Sequence, residues 1–356
     1  MLFRCAAHAP ATEAGGARTV SRGGRTLTVD IHCHCNCAAV AAEMSEEAAR
    51  AGHAALAYGN ALTREVNEKQ LAAIAPKMDS VAERLADMDR MGVDVQAISL
   101  PPYQLYYWAE PGLGRDVARR LNEFLVETAA TAPDRLVALG TIPLQHPEFA
   151  VAELEHCVQE LGMRGVEILT HVNGVELSRA GLDPVFARAE ELGALIFIHP
   201  DGFTHGARFQ EHYFLNLVGH PIENTLAIGH LVFDGVLDRY PGLKVCVAHG
   251  GGYAPAYAGR FDHGWGARPD CREHITEPPS SYMKKLYFDT MVFAPDQLEF
   301  LIRKYGADHI LLGTDYPYDM GEDDPVGLVG RVDGLSDEER AAVCGLNAAR
   351  LLKIGE

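Results

Sequence analysis

Along almost the whole chain, short apolar or β-branched runs alternate with stretches whose apolar residues recur at helical spacing, and few architectures accept that order. The runs read as strands are Leu27–Ile31, Val93–Ser99, Leu136–Gly140, Gly165–Leu169, Leu195–His199, Lys244–His249, Leu286–Asp289 and Ile310–Gly313. Helical stretches such as Val81–Met91, Val117–Thr131, Phe149–Leu161, Pro184–Leu192, Asn224–Tyr240 and Ala294–Tyr305 lie between them. Parallel neighbours need a crossover, usually a helix, so the alternation predicts an α/β fold with a parallel sheet. Eight such units predict a closed (β/α)8 barrel of the TIM-like type. The competing open, doubly wound sheet is disfavoured because no glycine-rich dinucleotide fingerprint follows the first strand.

The connections are unequal. Residues 36–80 form a long insertion after the first strand, and long pieces also follow the fifth, sixth and eighth strands. In a barrel these loops stand on the C-terminal face, where substrates bind, and they are expected to cap it. The chain thus divides into an N-terminal extension, 1–26, and a single barrel domain, 27–356.

Charge narrows the partners. Acidic residues number 49 against 31 basic ones, a net charge of −18, which repels phosphate backbones and anionic headgroups and argues against nucleic acid and membrane surfaces. No apolar run approaches the roughly 20 residues that span a bilayer. The eight cysteines are scattered without paired spacing, as in a reducing compartment, and the first residues lack the apolar block of a secretory signal. A cytoplasmic protein acting on a small molecule is expected.

The first strand ends as Asp30-Ile31-His32-Cys33-His34, and strand alternation sends His32 and His34 to one side. Cys33 falls on the other side, and Cys35 and Cys37 lie where the strand should have ended; all three read as small fillers. His199 closes the fifth strand in LIFIHP, His249 closes the sixth in KVCVAHGGG, and Asp315 follows the eighth in ILLGTDYP. Any one of these alone reads as a hydrogen-bonded loop residue, but strand ends converging on one face of a barrel make a metal centre. Three neutral imidazoles and a carboxylate suit Zn²⁺, ahead of Mn²⁺, Mg²⁺ or Fe²⁺. The fourth strand reads GVEILT, with Glu167 and no lysine to carry the bridge found in two-metal barrel hydrolases, so a single metal is expected. A divalent cation lowers the pKa of its bound water towards ~7. The remaining His249 then has the chemistry of a general acid/base. Gly250 to Gly252 either let backbone approach a ligand or build a structural turn.

The His-x-His pair, His199-Pro200, the run HGGGYAPAYAGRFDHGWGARPDC and GTDYPYDMGE together resemble the amidohydrolase-related decarboxylases, the group typified by aminocarboxymuconate semialdehyde decarboxylase. The likeness covers Ile31 and then Val81 to the C-terminus, including RLADMDRMGVDVQAIS and GVEILTHVNG. It implies that His32, His34, His199 and Asp315 ligate one zinc and that His249 is the catalytic acid/base. It also implies a homodimer, with Arg260 of AGRFDHG reaching into the neighbouring subunit's site to clamp a substrate carboxylate, a task that suits the forked guanidinium. Tyr107 and Trp108 match an aromatic pair of the group, either packing beneath the cap or stacking on substrate. His171, after the fourth strand, either reaches the pocket or makes a structural hydrogen bond.

Departures matter equally. After His199-Pro200 the relatives carry a tryptophan and an aspartate, whereas this chain has Asp201-Gly202-Phe203-Thr204, so a different specificity is expected. Between Asn36 and Ser80 the likeness is poor, and none of Arg64, Lys69 and Lys77 is assigned to the relatives' basic substrate residues. The expected activity is metal-dependent, non-oxidative decarboxylation of an aromatic-derived carboxylic acid, either a ring-cleavage product or a hydroxybenzoate. Hydrolysis or hydration of a ring-cleavage product or lactone would use the same residues. A non-catalytic zinc-binding protein is the third reading, and the spare His249 argues against it.

Overall fold

The barrel strands in chain order are β1 (Val29–His34), β2 (Val95–Ser99), β3 (Leu136–Ala138, resumed as Gly140–Thr141), β4 (Gly165–Leu169), β5 (Leu195–His199), β6 (Lys244–Val247), β7 (Tyr287–Asp289) and β8 (Ile310–Leu311). The computed structural model describes residues 21–22, 25–51, 59–202 and 206–355. Most of the expected N-terminal extension, and Phe203 and Thr204, lie outside the described residues.

Neighbouring strands pair in parallel, β1 with β2, β2 with β3, and then Gly140–Thr141 through β4, β5, β6 and β7 to β8. The two halves of β3 face different neighbours, and Leu139 N donates to Ile98 O (2.9 Å) between them. At the other seam Ile31 N donates to Leu312 O (2.9 Å) and His34 N to Tyr316 O (2.8 Å), which joins β8 to β1. The ring of strands is thereby completed.

Alternation sorts each strand into two layers. Val29, Ile31, Val95, Ala97, Leu195, Phe197, Cys246 and Leu311 form an inner cluster, which Ala348, Leu351 and Leu352 of the C-terminal segment join. Ile98, Ile168, Ile196, Ile198, Val245 and Val247 pack outward against the helices. Phe197 and His199 share a parity, so His199 projects from the inner set at the strand's end. β1 would break this rule were it regular. Asp30 pairs with Gln96 but Cys33 with Ile98, so β1 holds one extra residue. A bulge of this kind re-aims side chains. Val29 and Ile31 stay inside, yet His32 and His34 also point inward, while Cys33 joins the outer layer.

Arg84 braces this end of β1 from outside. It lies in the Val81–Met91 helix, which Ser80 caps and Gly92 ends in a left-handed conformation (φ 73°). Arg84 is fully buried, donating to Gln96 Oε1 (3.0 Å) and to His34 O (2.5 Å).

Several predicted elements shift. The helix expected from Val117 starts at Pro111, whose fixed φ suits a first turn. The helix expected from Phe149 starts at Pro147 and widens to a π-turn at His156–Glu160. The segment 36–80, expected as loop, contains the helices Ala38–Ala51 and Ala61–Asp79, and the piece after β6 contains Ala254–Ala267. No helix among the described residues is long and apolar enough to cross a membrane.

Candidate metal centre

His32, His34, His199, His249 and Asp315 meet at the C-terminal mouth of the barrel. One ligand atom from each of His32, His199, His249 and Asp315 lies within 4.8 Å of the others. His34 joins them: its ring centroid is 5.2 Å from that of His32 and 5.0 Å from that of His199, and its Nε2 is 3.4 Å from Asp315 Oδ1. His32 Nε2 lies 3.4 Å from the same oxygen.

The tautomers follow from the outer partners. His32 Nδ1 faces Asp289 Oδ2 at 2.6 Å, His34 Nδ1 faces Leu100 O at 2.9 Å and His199 Nδ1 faces Pro200 O at 2.8 Å. Each partner only accepts, so each Nδ1 carries a hydrogen, and in the neutral ring that a cation requires each Nε2 presents a bare lone pair. Those three Nε2 atoms are buried and have no hydrogen-bond partner. Buried polar atoms are nearly always paired, so three orphans aimed at one point call for a ligand. Neutral imidazoles oriented by a carboxylate or carbonyl at the far nitrogen are the usual form of metal-binding histidine. The donor set fits a divalent cation.

The charges of the cluster are coupled. Burial lowers the pKa of His199 well below 6.5, and its crowded imidazole neighbours lower it further, so it is neutral. Burial opposes ionisation of Asp315, yet positive charge on His32 and the imidazoles crowded around the carboxylate hold its pKa well below 3.8; burial also opposes protonation of His32, yet Asp315 and Asp289 raise its pKa well above 6.5. Asp289 is likewise held below 3.8 against the effect of burial, chiefly by its bond to His32. Two ionised carboxylates in a buried cluster require compensating positive charge, which a second proton on His32 or a bound cation can supply.

Backbone geometry is forced at two of these positions. His249 (φ 54°) and Asp315 (φ 53°) both adopt the left-handed region that non-glycine residues avoid. Hydrogen bonds over-determine them: His249 N donates to Asp289 Oδ2 (3.0 Å), and Asp315 N donates to His32 O (2.8 Å). The glycines after His249 serve packing. A Cβ on Gly251 would lie 2.6 Å from the Phe288 ring and one on Gly252 2.2 Å from Pro221 O. The structural turn therefore accounts for this run.

A cleft with two lobes opens on the centre. One lobe, of about 760 Å³, runs from His199 and Asp201 past Tyr103, Tyr106, Tyr213 and Tyr318 to Ala41, Asn67 and Gln70 of the inserted helices. The other, of about 530 Å³, runs from His249 and Gly250 past Val292, Phe293 and Phe300. Asp315, His220, Asn216 and Met320 line both. Among the described residues neither lobe is lined by Lys or Arg.

The remaining predicted residues are not gathered here. Trp108 packs edge-on against Tyr106 (5.7 Å) outside both lobes, and Tyr107 is buried beside β4. His171 accepts from Gly174 N (3.0 Å) and lies 3.9 Å from Glu223, also outside the lobes. Arg260 is exposed on the Ala254–Ala267 helix, near exposed Tyr253 and Tyr257. Lys69 pairs with Glu65 and Lys77 with Asp87, and neither they nor Arg64 line the cleft. Cys33, Cys35 and Cys37 are buried free thiols, and burial pushes Cys35 up to about 12.

Sequence reasoning missed Asp289, Asn224 and His220. Asp289 also stands at a strand's C-terminal end, a signal that could have flagged it. His220 stacks on His249 (ring centroids 5.8 Å, interplanar 27°), and no local pattern marks it.

An eight-stranded α/β barrel with a histidine–carboxylate centre at its C-terminal mouth defines the metal-dependent hydrolase type of barrel. More specifically, the chain belongs to the amidohydrolase family, whose description matches residues 29–354. It is 38% identical over 270 residues to a 2-amino-3-carboxymuconate-6-semialdehyde decarboxylase of Dictyostelium discoideum, covering 76% of this chain and 75% of that one. A Caenorhabditis elegans protein of the same name is 31% identical over 334 residues, covering 80% and 83%. The crystal structure of 5-carboxyvanillate decarboxylase from Sphingomonas paucimobilis superposes with a TM-score of 0.80 at 25% identity, over 92% of this chain and 99% of that one. A dihydroxybenzoic acid decarboxylase from Polaromonas, solved with bound manganese and 2-nitroresorcinol, gives a TM-score of 0.79 at 23% identity, over 93% and 98%.

Proposed function

We propose that this protein is a metal-dependent, non-oxidative decarboxylase of an aromatic-derived carboxylic acid. In this reading His32, His34, His199 and Asp315 hold one divalent cation and His249 is the acid/base. One observation carries it: three buried, unpartnered Nε2 atoms converge beside Asp315 at the floor of a cleft, in a chain similar over most of its length to aminocarboxymuconate semialdehyde decarboxylases. Zn²⁺ suits three imidazoles and a carboxylate; Mn²⁺ is the first alternative, given the manganese in the dihydroxybenzoic acid decarboxylase. When bound, the cation supplies concentrated positive charge that polarises an oxygen ligand.

The chain's own residues do the rest. His249 Nε2 lies 3.6 Å from Asp315 Oδ2 at the junction of the lobes, within reach of a substrate carbon seated there. As the bond between that carbon and the carboxyl group breaks, its electron pair stays on the carbon, which takes the proton from His249; the ring recovers a proton from water, and carbon dioxide leaves. The phenols and amides of the larger lobe hold the substrate body. Its carboxylate needs a cationic partner that the described lining lacks, and Arg260 from a second copy fills that need, with Tyr253 and Tyr257 in the contact. A homodimer in the cytoplasm completes the reading. Hydrolysis or hydration would employ the same donors, but the relatives' activities favour decarboxylation.

The test is a panel of ring-cleavage products and hydroxybenzoates offered to zinc-loaded and manganese-loaded protein, with carbon dioxide release measured. Release that stops on chelation and returns with metal is expected. Turnover without carbon dioxide would replace this reading with hydrolysis or hydration, and absence of stoichiometric metal would remove the centre.

A further inference from the structure

Five imidazole or carboxylate side chains crowd this mouth, yet the proposed function divides them into four ligands and one acid/base. Distance alone does not make that division, since His249 lies within the 4.8 Å group as closely as His32 or His199. The neighbours of each ring do. The oxygens nearest the far nitrogens of His32, His34 and His199 only accept, and Ser99 Oγ, 3.5 Å from His34 Nδ1, gives its hydrogen to Cys33 O. The far nitrogen of His249 faces a donor: Asn224 Nδ2, at 3.4 Å.

The orientation of that amide is fixed. The same Asn224 Nδ2 lies 2.8 Å from Ala248 O, where an oxygen would be repelled, so nitrogen must occupy the place. Asn224 is fully buried in the His220–Phe233 helix, and its Oδ1 has no hydrogen-bond partner. Both hydrogens of its NH₂ are therefore directed, one at the carbonyl before His249 and one at the His249 ring.

We infer that Asn224 is a positioning residue that sets the His249 tautomer, making Nδ1 the acceptor and Nε2 the protonated atom, so that His249 is excluded from the ligand set and presents an N–H to the cleft. The inference rests on the proposed metal centre for its consequence, though the tautomer itself does not. A protonated Nε2 has no lone pair to give a cation, whereas the bare Nε2 atoms of His32, His34 and His199 do. One amide thus separates chemically alike side chains into holders and an N–H donor that faces the cleft. Asn224 itself does not line the cleft, although His220 at the start of its helix does, so the effect of the Asn224 amide passes through His249.

The direct test is nitrogen NMR of protein labelled with ¹⁵N in the histidine rings, metal-free, with His249 identified by the signals lost in His249→Gln. A bare Nδ1 and a protonated Nε2 for His249 are expected; the opposite pattern would overturn the inference. A second measurement uses Asn224→Leu, similar in size but without a donor. Its kcat should fall on the order of 10- to 100-fold, with KM little changed. With Co²⁺ in the site, its visible absorption should weaken relative to wild type as the freed Nε2 adds a ligand. Wild-type kcat together with a wild-type Co²⁺ spectrum in Asn224→Leu would refute the assignment. Failure of the wild-type protein to bind Co²⁺ would instead count against the metal centre, and the NMR result would still decide the tautomer.

Discussion

Replacing Asp289 by asparagine should weaken the centre without touching any ligand. The carboxylate accepts four N–H donors: His32 Nδ1 (2.6 Å) and His249 N (3.0 Å) on Oδ2, Gly250 N (2.7 Å) and Met291 N (3.2 Å) on Oδ1. An amide has one accepting oxygen, so in either orientation its NH₂ faces two of those donors. Each buried N–H left unpaired costs about 1–3 kcal/mol, giving a loss of about 2–6 kcal/mol in the metal-free protein. If the NH₂ faces His32, the ring must accept at Nδ1 and move its hydrogen to Nε2, removing a lone pair from the centre. If the oxygen faces His32, the bond survives but loses its charge. Outer partners of this kind are worth about 10–100-fold in metal affinity, or about 1.4–2.7 kcal/mol. Competition titration of Zn²⁺ against a chromophoric chelator reads the affinity, and thermal unfolding of the metal-free protein reads the stability. A variant that binds zinc as tightly as wild type would refute the claim that Asp289 sets the His32 tautomer.

Other substitutions probe the division of labour. His249→Ala should keep the metal and lose on the order of 10²–10⁴ in kcat, whereas Asp315→Ala should lose metal affinity as well; equal metal loss in both, by elemental analysis, would show the division to be wrong. Arg260→Ala should lower kcat/KM for a carboxylate substrate, and mixing it with a His249→Ala protein should restore activity in heterodimers; unchanged kinetics would remove the clamp. Glu167 is fully buried in β4 with His34 Nδ1 4.0 Å from Oε2, and burial raises its pKa above the ordinary 4.5 although His34 and Ser99 work in the other direction. Its folded form holds the proton more tightly than the unfolded chain, so the stability it contributes is present below pH 4.5 and declines as the pH rises through the raised pKa. Thermal unfolding of metal-free Glu167→Gln should lack that decline, and parallel curves for variant and wild type would contradict it.

Much of the fold was legible because its signals are local. Parallel strands buried on both faces read as apolar runs such as LIFIH, and helices between them announce the crossovers. The inserted segment was less legible: the Ala61–Asp79 helix presents few buried apolar residues, chiefly Ile74 and Met78, so its periodicity is faint. The His249 turn was readable as glycine-rich but not as to cause, since the atoms that forbid a Cβ there come from Phe288 and Pro221. Trp108 illustrates the converse, an aromatic residue flagged by likeness whose ring faces Tyr106 and lies outside the cleft lining.

By itself the order of residues determined that strands and helices alternate, that the chain carries a strong negative charge, and that histidines and an aspartate stand where strands end. Those properties depend on neighbours a few positions apart. The tertiary structure decided which nitrogen of each ring is bare, because Asp289, Leu100, Pro200 and Asn224 reach the rings from distant segments or from backbone whose direction only folding sets. It also decided, through one extra residue in β1, that His32 and His34 turn inward together, since a bulge exists only relative to the strand beside it.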